Sequence, residues 1–528
     1  MVDANDPLIV GIGASAGGVE ALKTFFGALP PDTGAAFVVI LHLDPDARSE
    51  LAAILASRTR MPVVQISDAE HLRGDHVYVI APNQQLRIAD HTISVLPFSE
   101  PRGQRAPIDS FFRSLAEQHS DSFAVILTGA GADGAIGVRA IKEAGGIVLV
   151  QDPNEAEYAS MPRSAIATEV ADVVLPVREL AARLVELLQN HDHVRPAALA
   201  EKEEESLRRI LTHVRVRTGH DFSQYKRATV LRRIARRIQV CRRESLADYY
   251  GYLRDNVEEA QALFNDFLIS VTTFFRDPQV YQSLTKQVIP LLFDGKEAGG
   301  QVRIWVPGCA TGEEAYSVGM LLLEEAARRD IRPEIQVFGS DLDNAALATA
   351  REGRYPSTIE GDVGEDRLRR FFVREGDHYQ VRRELRDIVL FASHSLLGDP
   401  PFSRLDMISC RNLLIYLDRE LQHQVCSTFH YALVPGGFLV LGSSETADQP
   451  PGLFRTLDRD ARIYRSSATL GDKRPALPVL LGSHQMIDRG PSLGRAPSAH
   501  VSYSDAAVHR QMLERVAPPS MLVDEAHR

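Results

Sequence analysis

The chain has 528 residues, a length that predicts several domains, and a net charge of −11, which argues against nucleic acid as a partner. Its four cysteines show no CxxC spacing, which indicates neither a disulfide framework nor a zinc site and favours a reducing, cytoplasmic compartment. No apolar run reaches the roughly 18 residues of a membrane helix, so no insertion into a membrane is expected. The short acidic N-terminus predicts no signal peptide.

Apolar runs alternate with helical patterns in two parts of the chain, which is typical of parallel α/β sheets. Strands are predicted first at 8–12, 37–41, 76–80, 124–127 and 147–150. Residues 203–270 carry almost no strand pattern and predict a helical bundle. Strands are predicted again at 302–307, 335–339, 388–392, 407–410 and 437–442. The expected fold class is therefore α/β, with two doubly wound parallel-sheet domains separated by a small helical subdomain.

A turn of small residues at 11–18 follows the first predicted strand and supports two functional interpretations. Read as Gly11-x-Gly13 with further glycines, it is a dinucleotide-binding turn. Read as Gly13-x-Ser15-x-Gly17, it is a nucleophile elbow that exposes a serine between strand and helix. A tight strand-to-helix turn without chemistry is the third alternative.

Two later strand ends favour the serine interpretation. His42 ends the second predicted strand and Asp133 follows the fourth, and the ends of parallel strands meet at one edge of a sheet. Serine needs a base to take its proton, histidine can be that base, and a carboxylate fixes the histidine tautomer. Taken singly, His42 is more often a structural strand-end residue and Asp133 a loop cap.

The first third of the chain resembles a known enzyme family. The segments that carry the resemblance, over nearly all of residues 7–185, are IGASAGGVEAL, VILHLDP, VYVIAPN, RAPIDSFF, ILTGAGADGAIG and AGGIVLVQDPNEAEYASMPRSAIA. In this order they resemble the catalytic domain of the chemotaxis protein-glutamate methylesterases (CheB type). The resemblance implies hydrolysis of glutamyl methyl esters, with glutamine deamidation as a plausible second activity.

The resemblance also implies roles for individual residues. Ser15 is expected as the nucleophile, His42 as the base and Asp133 as the orienting acid. The backbone N–H groups of Ala16 and Ala130 are expected to form the oxyanion hole. Arg105 and Met161 are expected to line the approach of a receptor helix. The family usually carries an N-terminal phospho-acceptor domain, so control by that route is expected to be absent here.

A second small-residue turn follows the strand predicted at 302–307. Such a turn lets a ligand approach the backbone closely. About 30 residues later Asp341 ends the next predicted strand, where a carboxylate can accept hydrogen bonds from both ribose hydroxyls. This pattern fits several nucleosides, and a Rossmann-like domain without a nucleotide is the structural alternative.

The middle of the chain resembles a second family. The segments that carry the resemblance, within roughly 203–466, are SVTTFFRDP, WVPGCATGEEAYS, GSDLD, ISCRNLLIYL and VPGGFLVLGSSE. They resemble the chemotaxis receptor methyltransferases (CheR type). The resemblance implies S-adenosyl-L-methionine as methyl donor and a receptor glutamate as acceptor.

The second resemblance implies a donor site and an acceptor site. Arg276 and Tyr416 are expected nearest the methyl group and the incoming carboxylate. The residues implied to bind the donor are Ser270, Thr272, Arg276, Glu313 or Glu314, Asp341, Ser395, Leu396, Asn412 and Leu413. Four positions depart from the family's common residues, and because each change is small or conservative we expect donor binding to survive: Ala310, Ala315, Ser270 and Ser395.

A basic segment at 226–243 carries eight Lys or Arg residues and an apolar stripe at helical spacing. A solvated charged face is one interpretation of this helix. The other is a surface for acidic substrate helices, and we expect Arg233 and Arg237 to bind substrate there. Chemoreceptor cytoplasmic helices or similar signalling proteins are the expected partners.

The domain boundaries follow from these patterns. We predict a methylesterase domain at 1–190, a helical subdomain at 203–270, a methyltransferase domain at 271–466, a linker rich in Pro, Gly and Ser at 467–510, and the start of a PAS-like domain at 511–528. The leading hypothesis is a bifunctional chemotaxis-type signalling enzyme. The alternatives are a non-catalytic signalling scaffold and an unrelated oxidoreductase–methyltransferase fusion, the last of which predicts an acid where the chain has His42.

Overall fold

A computed structural model describes residues 7–44, 49–98, 105–119, 121–190, 201–268, 271–296, 300–331, 333–376 and 378–467. All of the described residues belong to one compact unit, Met1–Leu481. The predicted linker beyond residue 467, the PAS-like start at 511–528 and Ser270 lie outside the described residues. Within the described part of the chain, no helix is both long and apolar enough to cross a membrane.

The first domain is built on a seven-stranded, wholly parallel sheet in the order β10-β9-β8-β1-β2-β5-β3. Its strands, with the small antiparallel sheet β4-β7-β6, are β1 Ile9–Ala14, β2 Ala36–Leu41, β3 Val63–Gln65, β4 Glu70–His71, β5 His76–Val79, β6 Gln84–Ala89, β7 Thr92–Pro97, β8 Phe123–Ile126, β9 Ile147–Gln151 and β10 Val173–Leu175. Its helices are α1 Gly18–Ala28, α2 Leu51–Ala56, α3 Pro107–Gln118, α4 Ala135–Ala144, α5 Ser160–Ile166 and α6 Val177–Asn190.

Two apolar cores cover the two faces of this sheet. In β2, Phe37 and Val39 belong to one buried cluster, whereas Val38 and Ile40 belong to the other. This alternation follows from the two-residue period of a strand. Helices α1 and α6 pack on one face and α3 and α4 on the other. Strands buried on both faces read as continuous apolar runs, which is why the sequence reveals them.

Four helices follow the first domain, as the pattern over 203–270 predicts. They are α7 Glu201–Thr218, α8 Arg227–Val240, α9 Leu246–Asp255 and α10 Val257–Leu268, and they enclose one apolar core. Backbone contacts tie this bundle to the next domain, since the N–H of Lys226 donates to the carbonyl of Tyr416 at 2.8 Å. The bundle therefore packs against the second domain at the segment that contains Tyr416.

The second domain has a seven-stranded sheet in the order β16-β12-β11-β17-β18-β20-β19, parallel except at β20 and β19. Its strands, with the small sheet β13-β15-β14, are β11 Gln301–Pro307, β12 Glu334–Asp341, β13 Arg354–Pro356, β14 Phe372–Glu375, β15 His378–Val381, β16 Val389–Ser393, β17 Leu405–Cys410, β18 Leu433–Leu441, β19 Phe454–Asp458 and β20 Ile463–Ser466. Its helices are α11 Pro278–Ser283, α12 Ile289–Phe293, α13 Glu313–Arg329, α14 Asn344–Glu352, α15 Glu360–Val363, α16 Glu365–Phe371, α17 Arg383–Arg386 and α18 Arg419–Ala432.

The predicted fold class is confirmed: two doubly wound α/β domains lie on either side of a helical subdomain. All ten predicted strands are present, within a few residues at their ends. The prediction missed the two small antiparallel sheets, the three-residue edge strands β3 and β10 of the first sheet, and the antiparallel strands β19 and β20; most of these strands are short and partly exposed.

Two candidate active sites

The first site lies at one edge of the first sheet. Ser15 follows β1, His42 follows β2, and Asp133 lies between β8 and α4. Because β8, β1 and β2 are adjacent and parallel, their carboxyl ends bring the three side chains together, as the sequence predicts.

The three side chains form a continuous line of hydrogen bonds. Ser15 Oγ lies 3.1 Å from His42 Nδ1, and His42 Nε2 lies 2.7 Å from Asp133 Oδ2. The Asp133 carboxylate can only accept when ionised, so the imidazole proton belongs on Nε2. Nδ1 is then left with a lone pair facing the serine, which is the arrangement a general base needs.

Asp133 is held by the beginning of α3. Its carboxylate accepts from the N–H groups of Ile108 at 3.0 Å and Asp109 at 2.9 Å. The positive end of a helix favours a negative charge, so the beginning of α3 is a suitable place for the carboxylate that faces the imidazole. Sequence reasoning missed this support, although Pro107 at the first helical turn marks where α3 begins.

Asp109 is a second acid of this site that the sequence did not single out. Burial, and then the charge of Asp133, raise the pKa of Asp109 to about 8. Its carboxyl group accepts from the N–H of Gly137 at 2.6 Å and so ties α3 to α4. Asp109 is therefore a structural acid that leaves the negative charge to Asp133.

The predicted oxyanion donors lie on turns next to Ser15. The N–H of Ser15 itself donates to the carbonyl of Thr128 at 3.0 Å, which fixes the serine turn against the β8 turn. In the described part of the chain, the N–H groups of Ala16 and Ala130 donate to no protein acceptor. A Cβ at Gly129 would lie 2.8 Å from that of Ser15, so glycine is required for this close approach.

The structure places the two predicted approach residues differently. Met161 is 1% exposed and packs against Gly129, in the turn that contacts Ser15. Arg105 donates to Asn83 at 2.8 Å and lies over the Phe98 ring, 4.5 Å from its centroid. Met161 therefore does not meet a substrate at a surface, whereas Arg105 remains a candidate for the approach.

The second site begins at the turn between β11 and α13. Gly308 and Gly312 have φ values of 69° and 93°, in the left-handed region that favours glycine. A Cβ at Gly312 would lie 2.8 Å from the Cβ of Ala350. Ala310, with φ of 47°, adopts the same region at the cost of strain, and such strain is common at ligand sites.

Asp341 ends β12 beside this turn, as predicted. Its carboxylate accepts from the N–H groups of Ala310 at 2.8 Å and Asp343 at 2.9 Å. Burial raises the pKa of Asp341 to about 6, and these backbone hydrogen bonds limit the rise. The residue is therefore mostly ionised at neutral pH and can accept hydrogen bonds from hydroxyl groups.

The structure separates the two glutamates that the sequence left as alternatives. Glu314 lines the cavity beside Asp341 and accepts from the Ser409 hydroxyl at 2.5 Å. Glu313 accepts from Thr311 at 2.6 Å and lies 3.6 Å from Arg139, outside that cavity. Glu314 is therefore the one placed to meet a charged group in the cavity.

One cavity collects most of the predicted donor-site residues. Those that line it are Thr272, Arg276, Glu314, Asp341, Ser395, Leu396, Asn412, Leu413 and Tyr416. Others that the sequence did not indicate also line it, among them Glu143, Tyr225, His394 and Arg411. The buried His394 Nδ1 has no protein partner among the described residues, which leaves one polar atom for a ligand.

Arg276 and Tyr416 meet a third side chain in this cavity. A guanidinium nitrogen of Arg276 lies 3.2 Å from Oε1 of Glu143, and the Tyr416 hydroxyl lies 3.5 Å from the same oxygen. Glu143 belongs to the first domain, one residue before the end of α4. No signal in the sequence connects position 143 with this site, because the contact depends on how the two domains pack.

The loops that carry these residues are bent and braced. Phe275 and Asp277, on either side of Arg276, have φ values of 49° and 58°, and Asn412 has 60°. The Glu445 carboxylate accepts from the N–H groups of Asn412 at 3.1 Å and Ile415 at 3.2 Å. Glu445 thus fixes the segment that leads to Tyr416. Glu445 lies in one of the segments that carry the second resemblance, but the sequence predicted no role for it.

The basic helix α8 corrects one prediction. Arg233 is 2% exposed and donates to the carbonyl oxygen of Lys142 at 2.6 Å, across the boundary with the first domain. Arg237 pairs with Glu259 inside the bundle at 2.6 Å. The expectation that both bind substrate on an open surface is wrong for this arrangement, since their guanidinium groups are already engaged by the chain itself.

Three family models match this chain. Residues 10–184 match CheB methylesterase, residues 205–268 match the all-alpha domain of CheR methyltransferase, and residues 270–463 match its SAM binding domain. The matches end at residue 463, so the PAS-like start at 511–528 stays a prediction.

Individual relatives agree with these models. Over 232 residues the chain is 32% identical to the chemotaxis protein methyltransferase of Listeria innocua, covering 44% of this chain and 86% of that protein. Over 182 residues it is 38% identical to a provisionally named protein-glutamate methylesterase/protein-glutamine glutaminase of Leptospira interrogans, covering 34% and 94%.

A further relative aligns across both domains. Over 507 residues the chain is 34% identical to an uncharacterized 104.1 kDa protein in the hypE 3′ region of Rhodobacter capsulatus. The alignment covers 90% of this chain and 52% of the relative, so the chain spans about half of that protein's length.

Proposed function

This chain belongs to the CheB methylesterase and CheR methyltransferase families, and from that premise we propose that it hydrolyses glutamyl methyl esters at one site and forms them at the other. The observation that carries the first activity is the hydrogen-bonded line from Ser15 through His42 to Asp133. The second activity is supported by a cavity that joins Asp341 to Arg276 and Tyr416.

Ester hydrolysis follows from the geometry of the serine site. Ser15 Oγ attacks the ester carbonyl carbon while His42 Nδ1 takes its proton. The N–H groups of Ala16 and Ala130 stabilise the oxyanion that forms. His42 then returns the proton to the leaving methanol, and water releases glutamate from the acyl-serine by the same base. Glutamine deamidation needs the same steps with ammonia as the leaving group.

Methyl transfer asks less of the protein's acid–base chemistry. A glutamate carboxylate, with a reference pKa near 4.3, is already an anion at pH 7, so no general base is needed. S-adenosyl-L-methionine, when bound, supplies an electrophilic methyl group. The protein must orient the acceptor oxygen and exclude water, and such positioning contributes several kcal/mol. Arg276 is suited to orient the carboxylate, and Tyr416 to close the wall beside it.

The cavity fits the donor by the chemistry of its wall. Asp341 and Glu314 line the cavity, and we propose that Asp341 accepts from the ribose hydroxyls and that Glu314 faces the charged amino-acid portion. Thr272 lines the same cavity as Arg276, and we propose that it borders the methionine end of the donor. Apolar and polar groups suited to the adenine and the carboxyl end come from Ser395, Leu396, Asn412 and Leu413.

We propose glutamates of chemoreceptor cytoplasmic helices, or of similar signalling proteins, as the substrates. The free glutamate that the methyltransferase site accepts is the product of the esterase site, and the methyl ester is the reverse. One receptor side chain can therefore be the substrate of both sites. Arg105 is proposed to guide the substrate helix at the serine site. With Arg233 and Arg237 engaged internally, the proposal does not depend on the basic helix.

The experiment crosses one variant at each site. Methanol release is measured from receptor membranes carrying tritiated glutamyl methyl esters, and methyl incorporation from tritiated S-adenosyl-L-methionine into unmethylated membranes. Ser15→Ala is expected to abolish release and preserve incorporation. Arg276→Ala is expected to do the reverse, so each variant is the matched control for the other.

Two results would overturn parts of the proposal. If wild type neither releases nor incorporates label, the chain is a signalling scaffold rather than an enzyme on these substrates. If Ser15→Ala retains methanol release, the serine is not the nucleophile. A fluorophosphonate probe, which labels an activated serine, gives an independent reading of Ser15 in the absence of any receptor.

A further inference from the structure

The carboxyl end of α4, in the methylesterase domain, reaches the methyltransferase cavity. Glu143 lines that cavity with Arg276 and Tyr416, and 17% of its side chain is exposed. Its Oε1 lies 3.2 Å from an Arg276 nitrogen and 3.5 Å from the Tyr416 hydroxyl. A glutamate carboxylate thus contacts the two residues proposed to receive the substrate carboxylate.

Three arginines of α8 hold this end of α4 by its backbone. Arg233 donates to the carbonyl oxygens of Lys142 and Glu143. Arg236 donates to the carbonyl of Gly146 at 3.1 Å, and Arg232 to that of Ala144 at 3.1 Å. The last carbonyls of a helix lack partners within it and carry partial negative charge, so cationic donors are favoured there.

A buried ion cluster fixes the same junction. Arg236 pairs with Asp172 of the methylesterase domain and with Asp266 of the helical bundle. Lys142, the residue before Glu143, lies 2.9 Å from Asp172 and 3.1 Å from Asp266. Burial of these charges makes each partner necessary to the others. Glu143 is therefore positioned by a fixed helix end rather than by a loop.

Glu143 affects the pKa values of both residues that it contacts in the cavity. Burial lowers the pKa of Arg276, but the charge of Glu143, the hydrogen bond to Glu143 and the neighbouring acidic groups together raise that pKa above its ordinary value. Burial, and then the charge of Glu143, raise the pKa of Tyr416. The arginine is thus a cation and the phenol a neutral donor, the states suited to binding a carboxylate.

We propose that Glu143 occupies the acceptor subsite of the methyltransferase, so that the methylesterase domain presents its own carboxylate where a substrate glutamate binds. This inference rests on the proposed acceptor role of Arg276 and Tyr416. Because the occupant is part of the same chain, it competes at every substrate concentration. A substrate carboxylate binds only when the Glu143 side chain turns away from Arg276, and its apparent affinity is lowered because only that fraction of molecules is open.

The first test needs no methyl donor. Melting temperatures are compared for wild type, Glu143→Gln, Arg276→Gln and the double variant. If Glu143 and Arg276 are paired in solution, the double variant loses less than the sum of the single losses. Additive losses would show that the contact does not exist and would overturn the inference.

The second test measures competition. The kcat/KM for receptor membranes is compared for wild type, Glu143→Gln, Glu143→Ala and the control Glu117→Gln, whose exposed side chain lies on α3. Both Glu143 variants are expected to raise kcat/KM by about tenfold or more, the gain when no more than about a tenth of molecules is open. If the thermal cycle shows that Glu143 and Arg276 are paired but the Glu143 variants leave kcat/KM unchanged, the inference is also overturned.

The two tests separate this inference from the proposed function. Pairing in the thermal cycle with no methyl transfer by any variant supports occupancy and rejects receptor membranes as the substrate. Peptide mass mapping after incubation with S-adenosyl-L-methionine adds a direct reading. A methyl ester on Glu143 itself supports the inference, because only a carboxylate in the acceptor subsite can receive the group.

Discussion

The two sites occupy equivalent edges of similar sheets but differ in what covers them. At the serine site one-third of the His42 side chain, 33%, is exposed, and no residue of the other domains contacts Ser15 or His42 through the described hydrogen bonds and ion pairs. At the methyl-transfer site Glu143 of the neighbouring domain already meets Arg276. The serine site is therefore accessible to a substrate, whereas on our proposal the methyl-transfer site becomes accessible only when Glu143 leaves Arg276.

The largest effect is expected at the open site. Asp133→Asn should lower methanol release by about four orders of magnitude, because an amide that donates to Nε2 leaves the proton on Nδ1, where the base must be free. Steady-state release from methylated receptor membranes measures this. Asp109→Asn is the matched control, since Asp109 lies in the first turn of α3 and its side chain contacts Gly137 rather than His42, and its loss should be far smaller. Equal losses would mean that the helix end, not the tautomer, matters.

The next effect concerns the cover of the second site. Arg236→Ala should lower the free energy of unfolding by about 3–5 kcal/mol, because it leaves Asp172 and Asp266 buried without their main partner. Urea unfolding measures the change. Arg232→Ala removes one exposed hydrogen bond from the same junction and should cost about 1 kcal/mol or less. Similar values for the two variants would show that the buried cluster does not hold the domains together.

A smaller effect is expected on donor binding. Asp341→Asn should weaken S-adenosyl-L-homocysteine binding about 10- to 100-fold, because hydrogen bonds from the ribose hydroxyls to a charged acceptor are lost. Titration calorimetry measures this, with Asp343→Asn as the neighbouring control.

The same residue gives a pH dependence. With its pKa raised to about 6, Asp341 is ionised above that pH and protonated below it. Wild-type affinity for S-adenosyl-L-homocysteine should therefore fall about tenfold from pH 7 to pH 5, and that of Asp341→Asn should stay nearly constant. A parallel decline in both proteins would assign the pH dependence to another group.

The smallest effect separates two adjacent glutamates. Glu314→Gln should weaken S-adenosyl-L-homocysteine binding by about tenfold, through loss of a charge facing the ligand. Glu313→Gln should change it by about twofold or less, because Glu313 faces Arg139 outside the cavity. The reverse order would exchange the roles assigned to the two residues.

Local patterns predicted most of what lies within each domain. Continuous apolar runs revealed the buried strands, and strand ends located Ser15, His42, Asp133 and Asp341, because parallel topology brings such ends together. The backbone support of Asp133 by α3 was not predicted, since N–H groups carry no side-chain signal. For the same reason the role of Glu445 as a backbone acceptor remained hidden.

Contacts between domains were the part that sequence could not supply. The spacing of charges on α8 is the same whether that helix faces water, a receptor or a neighbouring domain, so the pattern favoured a surface that the packing buries. Glu143 carries no local mark of importance at the end of an ordinary amphipathic helix. Its significance comes from Arg276, 133 positions away in the chain, and no periodicity spans that separation.

The arginines of α8 grip α4 through main-chain oxygens, and every helix end offers such oxygens whatever its side chains. Apart from Lys142, whose side chain pairs with Asp172 and Asp266, this contact therefore depends little on which side chains α4 carries. During evolution those other side chains of α4 can be replaced without loss of the packing between the two domains. The side chain at position 143, which faces the neighbouring cavity, can therefore change by substitution while the backbone contact between α8 and α4 stays the same.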